Sequence, residues 1–569
     1  MKKLLAVLLT MLLGLAVSCA WAEEDEPTVY GSGKWRYVLL EDGTAEISGN
    51  ISPGKDLTIP TTIDGYTVTA IRDIAISGRF SRYLTSVTIP DSVTTVGGNP
   101  FTDCPNLTDI IVSPDHPTLA TIDGVLFDKT EKKLISYPCA FTNTSYVIPQ
   151  GIRIIGNDAF YDCDSLTSVT IPDSVTTIGE DAFYSCNSLT SITIQDSVTT
   201  IRENPFTYCK NLTDIIVSPD HPTLATIDGV LFDKVEKKLL CYPCALISTS
   251  YVIPQGIRII GDDAFYACNS LTSVTIPDSV TTIGDYAFYS CDSLASITIP
   301  GSVTTIGNST FRHCDSLTSV TIPDSVTTIG DSAFFSCDSL TSVTIPDSVT
   351  TIGDDAFYYC KSLTSVTIPD SVTTIGDSAF FSCDSLTSVT IPDSVTTIGD
   401  DAFNYCESLT SVTIPNSVTT IGDDAFSNCE SLTNLTVFRG SYAEEWVLAH
   451  GYTCTYIKPT GLSCGDLTYR IQEDGTAIII GCTTEATKLE VPAAIESAPV
   501  TSIGAYAFEN CTTLTAVTLP DSITSIADTA FYGCGSITFT VPRNSYAAQY
   551  CKTNGLRYTY PDSLDWLNN

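Results

Sequence analysis

The sequence predicts an α/β-type repeat solenoid with 23-residue coils and parallel strands. Eight cysteines, from Cys268 to Cys429, follow one another at steps of 23 residues. The residues between them are nearly the same in every interval, and from Cys337 they read C-D-S-L-T-S-V-T-I-P-D-S-V-T-T-I-G-D-D-A-F-Y-Y. A chain of 569 residues also exceeds what one core usually serves, whereas a solenoid grows along a single axis.

Each coil can be divided by its apolar spacing. In the coil from Cys314, the apolar residues Leu317, Val320 and Ile322 alternate with polar ones, as in a strand. Residues 323–325, Pro-Asp-Ser, are typical of a turn. A second apolar stretch then runs to Gly330, and a short helical or irregular segment returns to the next cysteine.

Two pairs of atypical segments predict two arrays with capped ends. Residues 37–47 and 469–480 each contain an E-D-G-T turn and predict β-hairpin N-caps. Residues 441–450, with Ser441 as N-cap, and 545–553 predict helical C-caps. We therefore expect a first array at 28–457, a linker at 458–461 and a second, short array at 462–569.

A longer duplication lies inside the first array. Residues 84–163 match 189–268 with an offset of 105 positions. Each copy carries an insertion, at 114–146 and 219–251. Both read as hairpins that bulge from the solenoid.

The N-terminus predicts export. Lys2 and Lys3 precede an apolar stretch, and Ala20-Trp21-Ala22 supplies small residues for cleavage after Ala22, so 1–22 read as a signal peptide. Lipid attachment at Cys19 is a minor alternative. No later stretch is apolar enough for a membrane helix, and we see no anchor motif. The expected location is secreted, extracellular or at the cell surface, with no membrane insertion after signal removal.

The formal net charge of -38 excludes some partners. Binding of nucleic acid or anionic lipid depends on Lys and Arg, so we expect neither. Catalysis has little support, because the four histidines are scattered and no G-x-S-x-G, P-loop or dinucleotide motif occurs. We therefore expect no enzyme activity, no catalytic residue, no cofactor and no dedicated metal site.

The pattern C-x-x-L-x-x-V-x-I-P-x-x-V-x-x-I-G-x-x-A-F resembles the treponemal, or BspA-like, class of leucine-rich repeat over about residues 28–569. The D-G-V-L-F-D-K insertion and the D-G-T-A opening are similar to further features of that family. The resemblance implies a secreted or surface-exposed protein that adheres to host matrix proteins, epithelium or other microbes. It supplies no catalytic residues.

The cysteines favour a structural interpretation. One cysteine at the same place in every coil predicts a buried stack, since free Cys packs as a small hydrophobe; stacked disulfides or metal thiolates are the alternatives. Cys454, Cys464, Cys482 and Cys551 lie outside this ladder and could pair. The C-x-x-C at 241–244 suggests redox chemistry, but its copy reads Ser136-Tyr137-Pro138-Cys139.

Two columns of aspartates are expected on the surface. One contains Asp331, Asp354, Asp377, Asp400 and Asp423, and the other contains Asp324, Asp347, Asp370 and Asp393. Turn formation and solubility explain them. Weak Ca²⁺ binding to the carboxylates is the alternative.

An aromatic column is the candidate partner-contact site. Its residues directly follow the buried Phe of their coils: Tyr266, Tyr289, Phe335, Tyr358 and Phe381, with Tyr161 and Tyr184 upstream. If the rings face solvent, they suit contact with protein or sugar; if they tuck under the return segment, they belong to the core. A flat Ser and Thr ladder is expected on the outward strand face, where structural β-propensity is the simpler explanation.

Together these features predict an extracellular binding protein. We expect adhesion to extracellular proteins or glycans through the solenoid faces and the two hairpins, with modest contacts summed over many coils. The alternative is a structural spacer with no specific ligand.

Overall fold

The computed structural model describes residues 28–50, 54–77, 81–457, 462–472, 474–482 and 486–561. The expected signal peptide (1–22), the alternative lipid site at Cys19 and the expected linker (458–461) lie outside the described residues. The chain divides into two compact units, 1–340 and 341–569. The boundaries of the two arrays stay a prediction.

A regular coil has a front strand, a side strand and a return segment made of turns. In the coil from Cys314 the front strand is Ser319–Thr321 and the side strand is Thr328–Ile329. Both pair in parallel with the coil before, Ser319 opposite Ser296 and Thr328 opposite Thr305. Equivalent residues therefore lie side by side, which confirms the solenoid of parallel strands with 23-residue coils.

The strands of the first unit fall into four groups. The N-terminal hairpins contain Tyr30–Ser32, Trp35–Leu39, Ala45–Asn50 and Thr62–Ile63. The front strands are Asp56–Thr58, Ser86–Ile89, Asp109–Val112, Ser145–Val147, Ser168–Thr170, Ser191–Ile194, Asp214–Val217, Ser250–Val252, Ser273–Thr275, Ser296–Thr298 and Ser319–Thr321. The side strands are Tyr66–Ile71, Thr95–Val96, Ile154–Ile155, Thr177–Ile178, Thr200–Ile201, Ile259–Ile260, Thr282–Ile283, Thr305–Ile306 and Thr328–Ile329. The insertions contribute Leu119–Ile122, Val125–Asp128, Lys133–Ser136, Leu224–Ile227, Val230–Asp233 and Lys238–Cys241.

The second unit continues the same coil and then repeats the opening pattern. Its first front strands are Ser342–Thr344, Ser365–Thr367, Ser388–Thr390, Ser411–Thr413, Leu435–Val437 and Cys454–Tyr456. The side strands are Thr351–Ile352, Thr374–Ile375, Thr397–Ile398 and Thr420–Ile421, and helix α1 is Tyr442–Ala449. The remaining elements are Leu462–Cys464, Leu467–Ile471, Ala477–Cys482, Lys488–Glu490, Ala494–Ile495, Ala498–Ile503, Ala516–Thr518, Ser525–Ile526, Thr538–Thr540, helix α2 at Tyr546–Thr553, and Arg557–Thr559.

The core is a set of columns of identical side chains. Phe311 and Phe334, one coil apart, are both fully buried and stack with ring centroids 5.4 Å apart. Val326, Ile329 and Leu317 are equally buried. Burying one such side chain contributes about 1.5–3 kcal/mol, whereas ordering each residue costs roughly 1–2 kcal/mol. A coil is therefore stable only when its neighbours cover both of its open faces.

The return segments are not helical, so the α/β-type assignment is wrong for the regular coils. Ser332 and Ser336 adopt left-handed backbone, with φ of 54° and 53°, which interrupts any helical turn. The return N–H groups instead reach across to the next coil, as from Phe311 to the carbonyl of Ala333 at 2.8 Å. Within the described residues, α-helix is confined to α1 and α2, and one 3₁₀ turn lies at Ser81–Tyr83.

Hairpins and helices occupy the predicted ends of the arrays. Trp35–Leu39 and Ala45–Asn50 pair antiparallel, and so do Leu467–Ile471 and Ala477–Cys482. The hydroxyl of Ser441 accepts a hydrogen bond from the backbone of Glu444 at 3.1 Å and begins α1. Ser545 does the same for α2. Whether these elements act as caps stays a prediction.

The two insertions do not bulge from the solenoid as expected. In the first, three strands pair antiparallel, and the last, Lys133–Ser136, pairs in parallel with the side strand Ile154–Ile155. Val125, Phe127 and Leu134 are buried in the same core as the coils. The apolar residues on one face of these strands must be buried against other side chains. The hairpin therefore forms part of the sheet that encloses the solenoid core.

Candidate binding surface

The front strands of the regular coils present a flat polar face. Val320 points into the core, whereas Ser319 and Thr321 on either side of it are exposed. Such a face offers hydroxyl groups but none of the aromatic or Arg anchors that dominate protein interfaces. Because Ser and Thr occupy the outward positions so regularly, an apolar residue at one of these positions is easily recognised.

Four exposed apolar residues interrupt this polar face, and the sequence analysis missed them. Ile111 and Ile216 are 50% and 52% exposed, and Val147 and Val252 are 66% and 67% exposed. Each stands opposite a threonine of the adjoining front strand: Thr88, Thr193, Thr170 and Thr275 respectively. An apolar side chain therefore replaces the usual outward threonine.

These four residues flank the insertions in the chain. We call Ile111 with Val147, and Ile216 with Val252, the insertion patches, because each pair lies on the front strands directly before and after an insertion. Contiguous exposed apolar surface is typical of contact sites, whereas a single exposed apolar residue is common on any protein. The signal was available in the sequence, since aligning the atypical strands with the repeat shows Ile or Val where Thr is the rule.

The aromatic column is half-buried, between the two interpretations that the sequence left open. Tyr266 and Tyr289 stack 4.6 Å apart at 9°, and Tyr358 and Phe381 stack 4.5 Å apart at 3°. The guanidinium of Arg312 lies 3.8 Å above the ring of Phe335. Stacked rings cover each other's faces, so the column presents ring edges and phenol groups. A sugar that stacks on a ring face would find few open ones.

The first aspartate column links consecutive coils. The carboxylate of Asp354 accepts the backbone N–H of Asp377 at 2.8 Å, and Asp377 does the same for Asp400. These bonds explain the column structurally. Among the described residues, no three His, Cys, Asp or Glu side chains converge to hold a metal ion. Asp324 and Asp347 of the second column are exposed in turns.

The cysteine ladder is a stack of buried thiols, as the packing interpretation predicts. The thiol of Cys291 donates to the carbonyl of Phe265 at 3.1 Å, and Cys314 repeats this with Phe288 at 3.2 Å. Of the off-ladder cysteines, Cys454, Cys464 and Cys551 are free thiols and Cys482 contacts Cys511.

The C-x-x-C segment lacks the chemistry of a redox motif. Cys241 is buried, and this burial raises the pKa of its thiol well above the usual value. A redox-active C-x-x-C instead needs a lowered pKa at an accessible thiol.

The two equivalent histidines are structural. Nδ1 of His221 accepts from the backbone N–H groups of Thr223 and Leu224, at 3.2 and 3.0 Å. Nε2 therefore carries the proton and donates to the carbonyl of Gln195 at 3.1 Å. His116 makes the same contacts in the first copy. Both side chains are buried and fasten the start of an insertion to the preceding coil.

A family model for the BspA type leucine-rich repeat region matches the chain in six copies, over residues 56–146, 136–244, 233–364, 328–443 and 483–553. The chain belongs to this family. The matched residues include both insertions and the repeats of the second array, so the sequence resemblance is confirmed. No curated protein matches the BspA-type chain.

Solved structures of bacterial leucine-rich repeat proteins are similar to the BspA-type chain. One from Bacteroides ovatus is 27% identical and covers 75% of this chain and 100% of its own, with a TM-score of 0.41. A leucine-rich cell surface protein from Faecalibacterium prausnitzii is also 27% identical, covering 77% and 100%, with a TM-score of 0.28. The pneumococcal vaccine antigen PcpA is 18% identical, covering 76% and 99%, with a TM-score of 0.37. The described part of the BspA-type chain has no helix long and apolar enough to cross a membrane.

In the return segments before and after the second insertion of the BspA-type chain, three carboxyl groups have raised pKa values. Burial raises the pKa of Asp158 to about 7, that of Asp181 to about 6 and that of Asp263 to about 8. Neighbouring carboxylates add to the effect, Asp181 on Asp263 above all. The amide of Asn204 also donates to the carbonyl of Asp263 at 2.8 Å. The insertion therefore leaves the return segments stacked and brings acidic groups together.

A cleft of about 640 Å³ lies where the BspA-type coils end near α1 and the strands from Leu467 onward begin. Arg439 forms an ion pair with Glu509, and its guanidinium lies 3.8 Å from the ring of Tyr456. Tyr506 and the exposed Arg470 complete the wall. The sequence provides only a weak indication of this cleft. Arginine is rare in the chain, which makes Arg439 and Arg470 noticeable, but neither belongs to a recognisable motif.

Proposed function

We propose that this chain is a secreted or surface-associated leucine-rich repeat binding protein that adheres to host or microbial proteins through its solenoid faces. In this proposal the signal peptide is cleaved after Ala22, and the chain acts without catalysis or cofactor. The hairpins and helices at the array ends serve as caps that protect the open coils from edge-to-edge association.

The insertion patches are the observation that carries the proposal. Ile111, Val147, Ile216 and Val252 keep half or more of their surface in water, although the neighbouring coils hold Thr at the same position. Exposing an apolar side chain where a polar one fits is unfavourable for an isolated molecule and favourable at an interface. Two copies on one chain let weak contacts add by avidity.

The test compares binding of residues 23–569 to matrix proteins, mucins, glycans and microbial surface proteins. The variant Ile111→Thr, Val147→Thr, Ile216→Thr and Val252→Thr restores the repeat residue at each site and should fold normally. We expect its affinity for a protein partner to fall at least about tenfold, since four exposed apolar groups are lost. The control Thr298→Ala with Thr321→Ala changes the polar face between regular coils and should leave binding intact.

Three other outcomes would redirect the proposal. Loss of binding in Tyr289→Ser with Tyr358→Ser, but not in the patch variant, would place the contact on the aromatic column. Dependence on Ca²⁺ would assign a role to the aspartate columns. A well-folded chain that binds nothing across the panel would contradict adhesion and favour the spacer.

A further inference from the structure

The cysteine ladder is interrupted at each insertion, and an off-ladder cysteine lies at the interruption. The position one step before Cys268 is Ala245, and the one before Cys163 is Ala140. In each case the residue just ahead, Cys244 or Cys139, carries a thiol instead. A ladder cysteine that resumes the stack therefore meets a second thiol that regular coils lack.

At the second insertion the two thiols are within reach of each other. Sγ of Cys244 lies 3.3 Å from Sγ of Cys268. A disulfide needs about 2.05 Å between the two sulfur atoms, so the two side chains must move closer for the bond to form. The thiol of Cys268 also makes a longer hydrogen bond than its ladder neighbours do, because its nearest carbonyl, that of Tyr242, is 3.6 Å away. The corresponding distance from Cys291 to Phe265 is 3.1 Å.

We propose that Cys244 and Cys268 form a disulfide that fastens the second insertion to the first regular coil after it. The oxidant is a low-molecular-weight disulfide of the kind present outside cells. The half-buried Cys244 attacks one of its sulfur atoms, forms a mixed disulfide and releases one small thiol. Cys268 loses its proton to solvent and attacks Sγ of Cys244, which forms the protein disulfide and releases the second small thiol. Two protein thiols are oxidised and one small disulfide is reduced.

Burial sets the rate and the selectivity of this reaction. It raises the pKa of Cys268 well above the usual value, so the second step is slow at neutral pH and accelerates as the pH rises. The thiols of the regular ladder residues Cys291 and Cys314 donate to carbonyl groups at 3.1 and 3.2 Å, and the contact of Cys482 with Cys511 is the competing thiol pair. Cys241 is buried beside the segment but contributes to the core.

The first insertion holds the same pair in another arrangement. The thiol of Cys139 donates to the carbonyl of Cys104 at 3.2 Å, which turns it toward the preceding coil. Cys104 corresponds to Cys209 in the second copy. The off-ladder thiol therefore lies between the ladder cysteines before and after its insertion, and Cys244 is the copy already turned forward.

The test oxidises the full exported chain, residues 23–569, with oxidised glutathione and maps cross-linked peptides by mass spectrometry. All variants carry Cys464→Ser, because Cys464 is exposed and would take up glutathione. We expect a cross-link between the peptides that contain Cys244 and Cys268, its faster formation at pH 9 than at pH 7, and a higher Tm that reduction reverses.

Matched variants separate this pair from its rivals. Cys244→Ser should abolish both the cross-link and the reversible Tm shift while circular dichroism shows an unchanged fold. Cys241→Ser should keep the cross-link. A cross-link between Cys241 and Cys244, or a folded chain whose Cys244 carries only glutathione after long oxidation at pH 9, would overturn the proposal.

Discussion

The thiol of Cys383 donates a hydrogen bond to the backbone carbonyl of Phe357, 26 residues earlier, at 3.3 Å. The same bond recurs between Cys406 and Phe380 at 3.2 Å. The ladder cysteine thus gives a second hydrogen bond to a carbonyl that already accepts the backbone N–H three residues further on, as Phe357 does from Cys360 at 3.2 Å. This explains why a small polarisable residue, and not simply an apolar one, stands at this place in the regular coils.

The first prediction concerns thiol reactivity. Burial raises the pKa of Cys383 well above its usual value, so the native chain should hold it as an unreactive thiol. Iodoacetamide should label the exposed Cys464 about a hundredfold faster or more, because Cys383 reacts only when its coil opens. Peptide mapping after timed labelling measures both rates, and denatured protein should label the two equally. Similar rates in the native chain would contradict a buried ladder.

A second prediction concerns the glycine that ends each side strand. A Cβ on Gly330 would lie 2.8 Å from the backbone of Gly307 and 2.7 Å from the side-chain oxygen of Asn308. Gly330→Ala should therefore destabilise the chain by about 1–3 kcal/mol, since the backbone of a stacked coil cannot move aside.

Gly301 provides the matched control, because nothing lies within 4 Å of a Cβ placed there. Gly301→Ala should be neutral or slightly stabilising. Urea unfolding followed by circular dichroism compares the two. Equal midpoints would show that coils can separate locally at no cost.

A third prediction concerns pH. The folded chain holds protons on Asp158, Asp181 and Asp263 up to about pH 7, 6 and 8, whereas the unfolded chain releases them near the ordinary value of 3.8. The folded state binds more protons in this window, so stability is highest at its acidic end and falls as the pH rises toward 8.

Thermal unfolding of the chain at pH 5 and pH 8 measures this dependence. The Tm should be several degrees higher at pH 5. Asp263→Asn should reduce the difference, because it removes the carboxyl group with the largest upward shift. The exposed Asp324→Asn should leave it unchanged. A Tm that rises between pH 5 and pH 8 would mean that these carboxyl groups ionise normally.

A fourth prediction concerns His221. Its removal in His221→Ala leaves two backbone N–H groups and the carbonyl of Gln195 without their bonds. The expected loss is roughly 1–3 kcal/mol for each buried group left unsatisfied. The neighbouring exposed Asp220→Ala should cost little. Proteolysis within 219–251 should accelerate in the first variant alone, and equal rates would show that the histidine is dispensable.

A fifth prediction concerns the cleft around Arg439. Arg439 contacts Tyr456, and both residues lie close to α1 in the chain. The ion pair of Arg439 with Glu509 connects this segment to the part of the chain that follows Leu467. Arg439→Ala should lower the Tm of the C-terminal part and make its unfolding separate from that of the preceding coils. Arg470→Ala, in the same cleft but exposed, should not. Limited proteolysis with calorimetry distinguishes a coupled transition from two independent ones.

The sequence predicts the regular part of this molecule well for a physical reason. Period and alternation determine which residues face inward, so Leu317, Val320 and Phe334 are core residues as expected. The helical ends were also predictable, because Ser441 and Ser545 are strong N-cap residues.

The irregular parts were less predictable, because their structure depends on contacts between coils. The return segment has residues that a helix tolerates, but its N–H groups bond to the next coil and Ser332 turns left-handed. The insertions were expected to protrude from the solenoid. Phe127 and Leu134 are buried instead, because the last insertion strand pairs with the side strand Ile154–Ile155 of the following coil. The exposed Ile216 becomes visible only by comparison with the Thr that other coils carry.

Each aspartate in the series Asp354, Asp377, Asp400 and Asp423 binds to the next at the same distance, 2.8 Å. The regular coils of this series therefore offer the same two surfaces to the coils beside them. A gene that gains or loses a whole repeat by unequal recombination still encodes a chain in which every bond of this series is present. Insertion of a single residue would put both neighbours out of step. Natural selection can thus adjust the reach of this protein in whole coils without redesigning any contact.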